Sequence, residues 1–462
     1  MHDNPSMSIA VRSATGVWGS RTTFFFALTA SAIGLGNLWR FSTLLGEQGG
    51  AAFLITYILC LLLVAVPLLI AEVLLGSHGR ANPVSSLLYT VRRSGLSRAW
   101  VGLGWLAVLT GFLVLGYHCV VAGWSLAYID LLQSGVFADA SAADAGREFA
   151  GLLADPRRMV QWQSLFIILV FSVSALGVYR GLTPLFWLLG PLLLVALAML
   201  IGFAMEHGNL QRAGAFLFSV NLYDFSIGSV TLALGHAFYT LGVGAGVGMT
   251  FGAYAPEKIP MGRAVLAVAL IDLVVAFAAG VAIYPLVFAS NLEPAMGPSL
   301  FYVGLPFAFG NMLQGEWLGT IFFLTVSIIS LASAVALAEP AMAYLVERMR
   351  LARPLSALLL GLATWMLAMV CALSLNVWQG QNGETSFFTL LESVTTVVLL
   401  PGVALLTAVL VGYRLRPEIL RVELYRESRG FVNLWRQCLR YVTPPLLLLL
   451  VAVGVFERFL AP

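Results

Sequence analysis

Apolar stretches of about twenty residues, the length a helix needs to cross a roughly 30 Å hydrocarbon core, recur along most of this 462-residue chain. Hydrophobic residues make up 60% of it and charged residues only 10%. Inside a bilayer every backbone N–H and C=O must find its partner within the segment, and for single spans of this length only the helix provides that. Apolar runs and their turn-rich separators place spans at 22–43, 51–76, 99–131, 161–180, 185–205, 227–251, 263–290, 315–346, 355–375, 386–411 and 438–459. The expected fold is an all-α polytopic membrane protein with eleven transmembrane helices.

Arginine placement sets the expected orientation. Arg80, Arg92, Arg93 and Arg98 fall in one connection, Arg348, Arg350 and Arg353 in another, and Arg414 through Arg440 in a third, all on the side of the N-terminus. The other face carries few cations, chiefly Arg147, Arg157, Arg158 and Arg212. The positive-inside rule makes the N-terminus cytoplasmic, and an odd number of spans leaves the C-terminus outside. The net charge of +3 is loop arginine sorted by topology, so no nucleic-acid partner is expected. The first twenty residues are polar with no apolar run ending in a cleavage site, so no signal peptide is expected. Cys60, Cys119, Cys371 and Cys438 are scattered without metal or redox spacing and read as free thiols.

Two spans are interrupted. The first carries Ala30-Ser31-Ala32-Ile33-Gly34-Leu35-Gly36-Asn37-Leu38-Trp39-Arg40-Phe41, and the sixth carries Gly235-His236 followed by Phe238 through Gly248, rich in glycine. Glycine disfavours continuous helix, and backbone freed at membrane depth survives only where protein or a polar cavity receives it. Freed carbonyls hold cations, and freed N–H groups hold anions with help from the half-helix dipole. Close packing through small residues is the plainer alternative. Two interrupted spans heading two five-span halves point instead to inverted repeats around a midplane site, worked by alternating access. The chain then divides into a cytoplasmic segment 1–21, a first repeat 22–205, an extracellular loop 206–226, a second repeat 227–411, a cytoplasmic loop 412–437, and 438–462, an extra span with an extracellular end.

Trp18 three residues ahead of Arg21, Gly34-Leu35-Gly36-Asn37 and Arg40-Phe41 resemble the neurotransmitter:sodium symporters, in particular their bacterial amino-acid transporter branch with its leucine-transporter-like fold. Gly49-Gly50-Ala51-Ala52-Phe53, Val120 through Trp124, Phe238 through Gly246 and Leu305 through Gly310 extend the resemblance over nearly the whole chain. It implies a substrate carboxylate on the N–H groups near Leu35 and Gly36. Gly34 stands where carriers of simple amines place an aspartate, so the substrate should bring its own carboxylate. Val114, Tyr239, Gly242, Ala245, Ser333 and Leu337 match pocket positions, and the small Ala245 implies room for an apolar or aromatic side chain. His118 stands where relatives hold a tyrosine that binds the carboxylate, with Tyr117 beside it expected to face elsewhere. For each pocket residue ordinary packing remains the alternative.

The resemblance also implies one sodium site at Ala32, Asn37 and Thr240. Asp272 aligns with an asparagine that ligates this ion in chloride-requiring animal relatives, so its carboxylate should join the site and remove the chloride requirement. A second sodium site would use Ala30, Ile33, Ile329 and Ser333, but Ala332 replaces one of the family's two hydroxyls. One or two sodium ions are thus implied, with reduced coupling or a proton contribution left open. Arg40, Glu392 and His236, which replaces a glutamine, match the outer gate. Trp18, Tyr254 and Glu347 match the inner gate, where Thr15 replaces a basic residue and Arg12 or Arg21 would substitute. The expected function is sodium-coupled, chloride-independent import of a zwitterionic amino acid across a bacterial inner membrane. The alternative is a non-transporting amino-acid sensor. A channel would want a continuous polar lining, and no enzymatic motif is present.

Overall fold

The computed structural model describes residues 16–220, 222–257, 259–292, 300–378 and 386–460. These residues form helices and turns without a strand, apart from an isolated antiparallel bridge between Gly50 and Val220. Eight helices among them are long and apolar enough to cross a membrane, and a ninth span is the pair Arg21–Ala32 and Gly36–Glu47, bent by 67°. Pro156–His207 runs for 52 residues, about 78 Å at 1.5 Å per residue and twice what one crossing needs. Gly177, with φ +83°, breaks it three residues before the expected end of the fourth span at 180. Dividing that stretch, and adding the interrupted sixth span, Ile227–Thr240 with Val247–Ala253, is what would bring the count to eleven.

Several separators hold helices that the span reading left as loops. Pro83–Ser94 is capped by Asn82, Leu210–Phe218 by Asn209 and Arg429–Gln437 by Ser428. Ala142–Ala154 starts in a reciprocal Ser141–Asp144 capping box. Hydrogen bonds from Ser141 hold the Asp144 carboxyl below its ordinary range. These stretches lack the apolar length of a span, so hydropathy passes over them although their caps are local sequence signals.

The interrupted spans sit where backbones pack most closely. A Cβ on Gly76 of the second span would fall 1.7 Å from the Met249 carbonyl oxygen, and one on Gly252 2.3 Å from that of Val73. Gly111 of the third span allows the same approach to the Ala245 carbonyl, at 2.5 Å. In lipid, where apolar side chains gain little by meeting each other, such small-residue contacts are a main source of helix association. The third and eighth spans, Gly102–Gln133 and Gly315–Glu347, form the longest helix pair and flank the breaks.

Candidate functional site

Helix ends at Ala32, Ile33 is extended, and the chain resumes through a π-helical turn at Gly36–Arg40. Asn37 fastens the break, its Oδ1 accepting from the Gly34 N–H at 2.8 Å. In the sixth span helix stops at Thr240 and restarts at Val247. Gly242, Gly244 and Gly246 between them all have positive φ (64°, 91° and 75°), which L-residues rarely adopt. The Gly244 N–H freed there donates at 2.7 Å to Oε1 of Glu72, a fully buried acid of the second span.

The two breaks face one cavity of about 460 Å³. Leu35, Gly36, Val114, His118, Tyr239, Gly242, Ala245, Ser333 and Leu337 all line it, as do Ala32, Asn37, Thr240, Arg40 and Glu392. Tyr117 lines it as well, against the expectation that it faces elsewhere. Residues adjacent on a helix diverge by about 100°, and a cavity this broad spans both directions. Phe388 packs edge-on to the Tyr117 ring and adds an aromatic wall.

Asp272 lies behind the cavity, fully buried. It accepts from the Asn37 amide at 2.6 Å, the Thr240 hydroxyl at 2.9 Å and, more distantly, the Tyr57 hydroxyl at 3.5 Å. All three donors are neutral, and no cationic side chain is within ion-pair distance of this carboxylate among the described residues. A buried anion with uncharged partners and hard oxygen donors is suited to a small metal cation. The Asn37 amide oxygen, expected as a ligand, points instead to Gly34, so the amide must turn to offer it.

Three of the four residues matched to a second ion, Ile33, Ile329 and Ser333, also lie together. Ser333 Oγ lies 3.1 Å from the Ile33 carbonyl and 3.3 Å from that of Ile329. The hydroxyl donates to one of the carbonyls an ion would use, and Ala332 beside it offers no oxygen. His118 Nε2 is 3.1 Å from the Ser330 carbonyl. A carbonyl only accepts, so that nitrogen carries the proton and Nδ1 is left as an acceptor, the opposite of the expected donor.

Arg40 and Glu392 both line the cavity without forming an ion pair with each other; the Arg40 guanidinium lies 5.8 Å over the Tyr239 ring. His236 is not on the cavity wall. It is fully buried against Phe41 and Tyr57, and neither ring nitrogen has a hydrogen-bond partner. It therefore supports the break from behind.

The side that carries the N-terminal segment is tightly packed. Trp18 is buried, its backbone N–H donating to the Tyr254 carbonyl at 2.8 Å and its ring meeting Phe251 and Tyr254 edge-on. The Tyr254 hydroxyl donates to Glu339 Oε1 at 2.8 Å. Arg353 grips the same carboxylate through both terminal nitrogens, at 3.0 and 2.7 Å. Arg353 was expected as a loop cation. It is instead mostly buried, held by its own pairing with Glu339 and by the Ser174 carbonyl at 2.8 Å. Glu347 lies apart from this cluster, accepting from the Asn82 backbone and side-chain N–H groups at 2.5 and 2.9 Å. Arg12 and Thr15 lie outside the described residues. Glu72 and Glu339 escaped the sequence reading, although a lone acid inside an apolar run is itself a signal.

The profile of the sodium:neurotransmitter symporter family matches residues 15–136 and 155–459. A sodium-dependent transporter of Bacillus subtilis, YhdH, is 29% identical, the alignment covering 92% of this chain and 95% of the relative. A sodium-dependent transporter of Haemophilus influenzae is 26% identical over 95% and 98% of the two chains. Among solved structures, MhsT in complex with L-phenylalanine superposes with a TM-score of 0.86 and 31% identity, over 95% of this chain and 99% of that one. With two facing helix breaks, a cavity between them and this agreement along the whole sequence, the chain belongs to the sodium:neurotransmitter symporter family, a family of membrane transporters rather than enzymes.

Proposed function

We propose that this protein imports a zwitterionic amino acid with an apolar or aromatic side chain, driven by sodium, through alternating access. The observation that carries the proposal is the single cavity in which both breaks meet an apolar wall of Val114, Ala245, Leu337 and Phe388. N–H groups near Leu35 and Gly36 suit the carboxylate, and carbonyls freed at the two breaks suit the ammonium group. The apolar wall takes the side chain, in keeping with the phenylalanine bound by MhsT.

Sodium is cargo in this scheme. Asp272, Thr240, Asn37 after its amide turns, and the Ala32 carbonyl supply oxygens beside the substrate. The Asp272 charge balances the ion, so chloride is not required. A second ion at Ala30, Ile33, Ile329 and Ser333 binds weakly for want of a hydroxyl at Ala332. A proton enters the cycle at His118, whose Nδ1 meets a carboxylate favourably only once protonated.

The cavity reaches outward past Arg40 and Glu392 while Trp18, Tyr254, Glu339 and Arg353 seal the cytoplasmic end, which corresponds to an outward-facing state in an inner membrane with the N-terminus inside. Uptake of labelled amino acids into liposomes holding the purified protein, with sodium, chloride and pH gradients imposed one at a time, tests the scheme. Accumulation above equilibrium under the sodium gradient without chloride is expected. Saturable binding with no flux under any gradient would replace it with the sensor reading.

A further inference from the structure

The charges of the 412–437 connection are unevenly matched. Glu423 is engaged by Ser77 and His78, at 3.0 and 3.1 Å, and Glu427 by the Gly262 N–H at 3.0 Å and Arg263 at 3.6 Å. Glu418 is exposed and forms no ion pair within 4 Å among the described residues. Arg436 and Arg440, one turn apart, both donate through Nε to one acceptor, the Gly412 carbonyl, at 3.2 and 2.6 Å. Arg436 adds a long contact to the Leu415 carbonyl at 3.5 Å. A carbonyl carries no net charge, so two cations brought to one oxygen still repel. Partial burial, and then the charge of Arg440, lower the Arg436 pKa from its ordinary value.

The helix that carries the pair is held in place. Trp435 is buried and donates to the Pro67 carbonyl at 2.9 Å, and Leu439 is fully buried, fixing the helix that carries both arginines. Leu434, Tyr413 and Tyr441 are exposed around them, and Leu448 continues the exposed face along the last span. Tyrosine beside leucine at the end of a span marks the edge of a bilayer.

We propose that Arg436 and Arg440 form a site for the phosphate of an anionic phospholipid headgroup, its acyl chains lying along Tyr441 and Leu448. Both terminal nitrogens of Arg440 lack a protein acceptor among the described residues, and the guanidinium fork matches two phosphate oxygens. Basic side chains held together at the headgroup level suit a lipid phosphate, and a phosphate there offsets the repulsion that Gly412 cannot.

The test is thermal unfolding of the purified full-length protein in neutral detergent, followed by tryptophan fluorescence. Phosphatidylglycerol, phosphatidylcholine and inorganic phosphate are added in separate series. Phosphatidylglycerol is expected to raise the midpoint by several degrees in the wild type, with little effect from the other two, and to lose most of that shift in R436Q/R440Q. Should the double variant not fold, R440Q is compared with the wild type for phosphatidylglycerol retained in native mass spectrometry, and fewer bound lipids are expected. An equal shift in wild type and variant, no specific shift in the wild type, or equal lipid retention overturns the site. A full shift from inorganic phosphate overturns its assignment to lipid.

Discussion

Asp272 holds a negative charge where only neutral donors meet it, and that defines what its replacement should do. D272N keeps the size and removes the charge. Sodium-driven uptake should then need at least about tenfold more sodium, equivalent to about 1.4 kcal/mol, and chloride should restore part of the loss; titrating sodium with and without chloride measures both. Ala332 gives the converse case. A332S returns a hydroxyl next to Ser333, and uptake should rise more steeply with sodium concentration than in the wild type. Much at this scale was legible: the nine residues matched to the substrate pocket line one cavity. Orientation was not. The Asn37 amide and the His118 proton are set by Gly34 and Ser330, partners that only the folded chain supplies.

The glycines of the sixth span look interchangeable in sequence and are not so in the element they form. Gly244 has φ +91°, and a Cβ there would fall 2.6 Å from the Leu400 carbonyl oxygen, whereas Gly235 lies in regular helix with ordinary contact to Leu450 at 3.6 Å. G244A should lower the unfolding midpoint, through a strain of about 1–3 kcal/mol, and abolish uptake. G235A should leave both close to wild type, as unfolding scans and flux assays on the same preparations would record. Periodicity and glycine content located the breaks because both are local. They missed the membrane-edge helices such as Ala142–Ala154, where a cap rather than apolar length signals the element.

Across the whole molecule the two ends of the site differ. Arg40 and Glu392 stand apart in an open cavity, while Glu339 and Arg353 form a buried, two-pronged ion pair that also holds Tyr254. Truncating one partner strands the other's charge, so E339A and R353A should each cost about 3–5 kcal/mol, and the double variant much less than their sum. Unfolding measurements on all three test the coupling, and alkylation of a cysteine placed at Ala255 by a membrane-impermeant reagent in open membranes should quicken in each single variant. Sequence reading sorted Arg353 with the loop cations because burial depends on Glu339, fourteen residues away and on another helix. If the proposed cycle opens this end by parting the desolvated pair, a carrier that holds sodium without substrate has less binding energy to set against that cost. Such a lock would keep the ion gradient from leaking while substrate is absent.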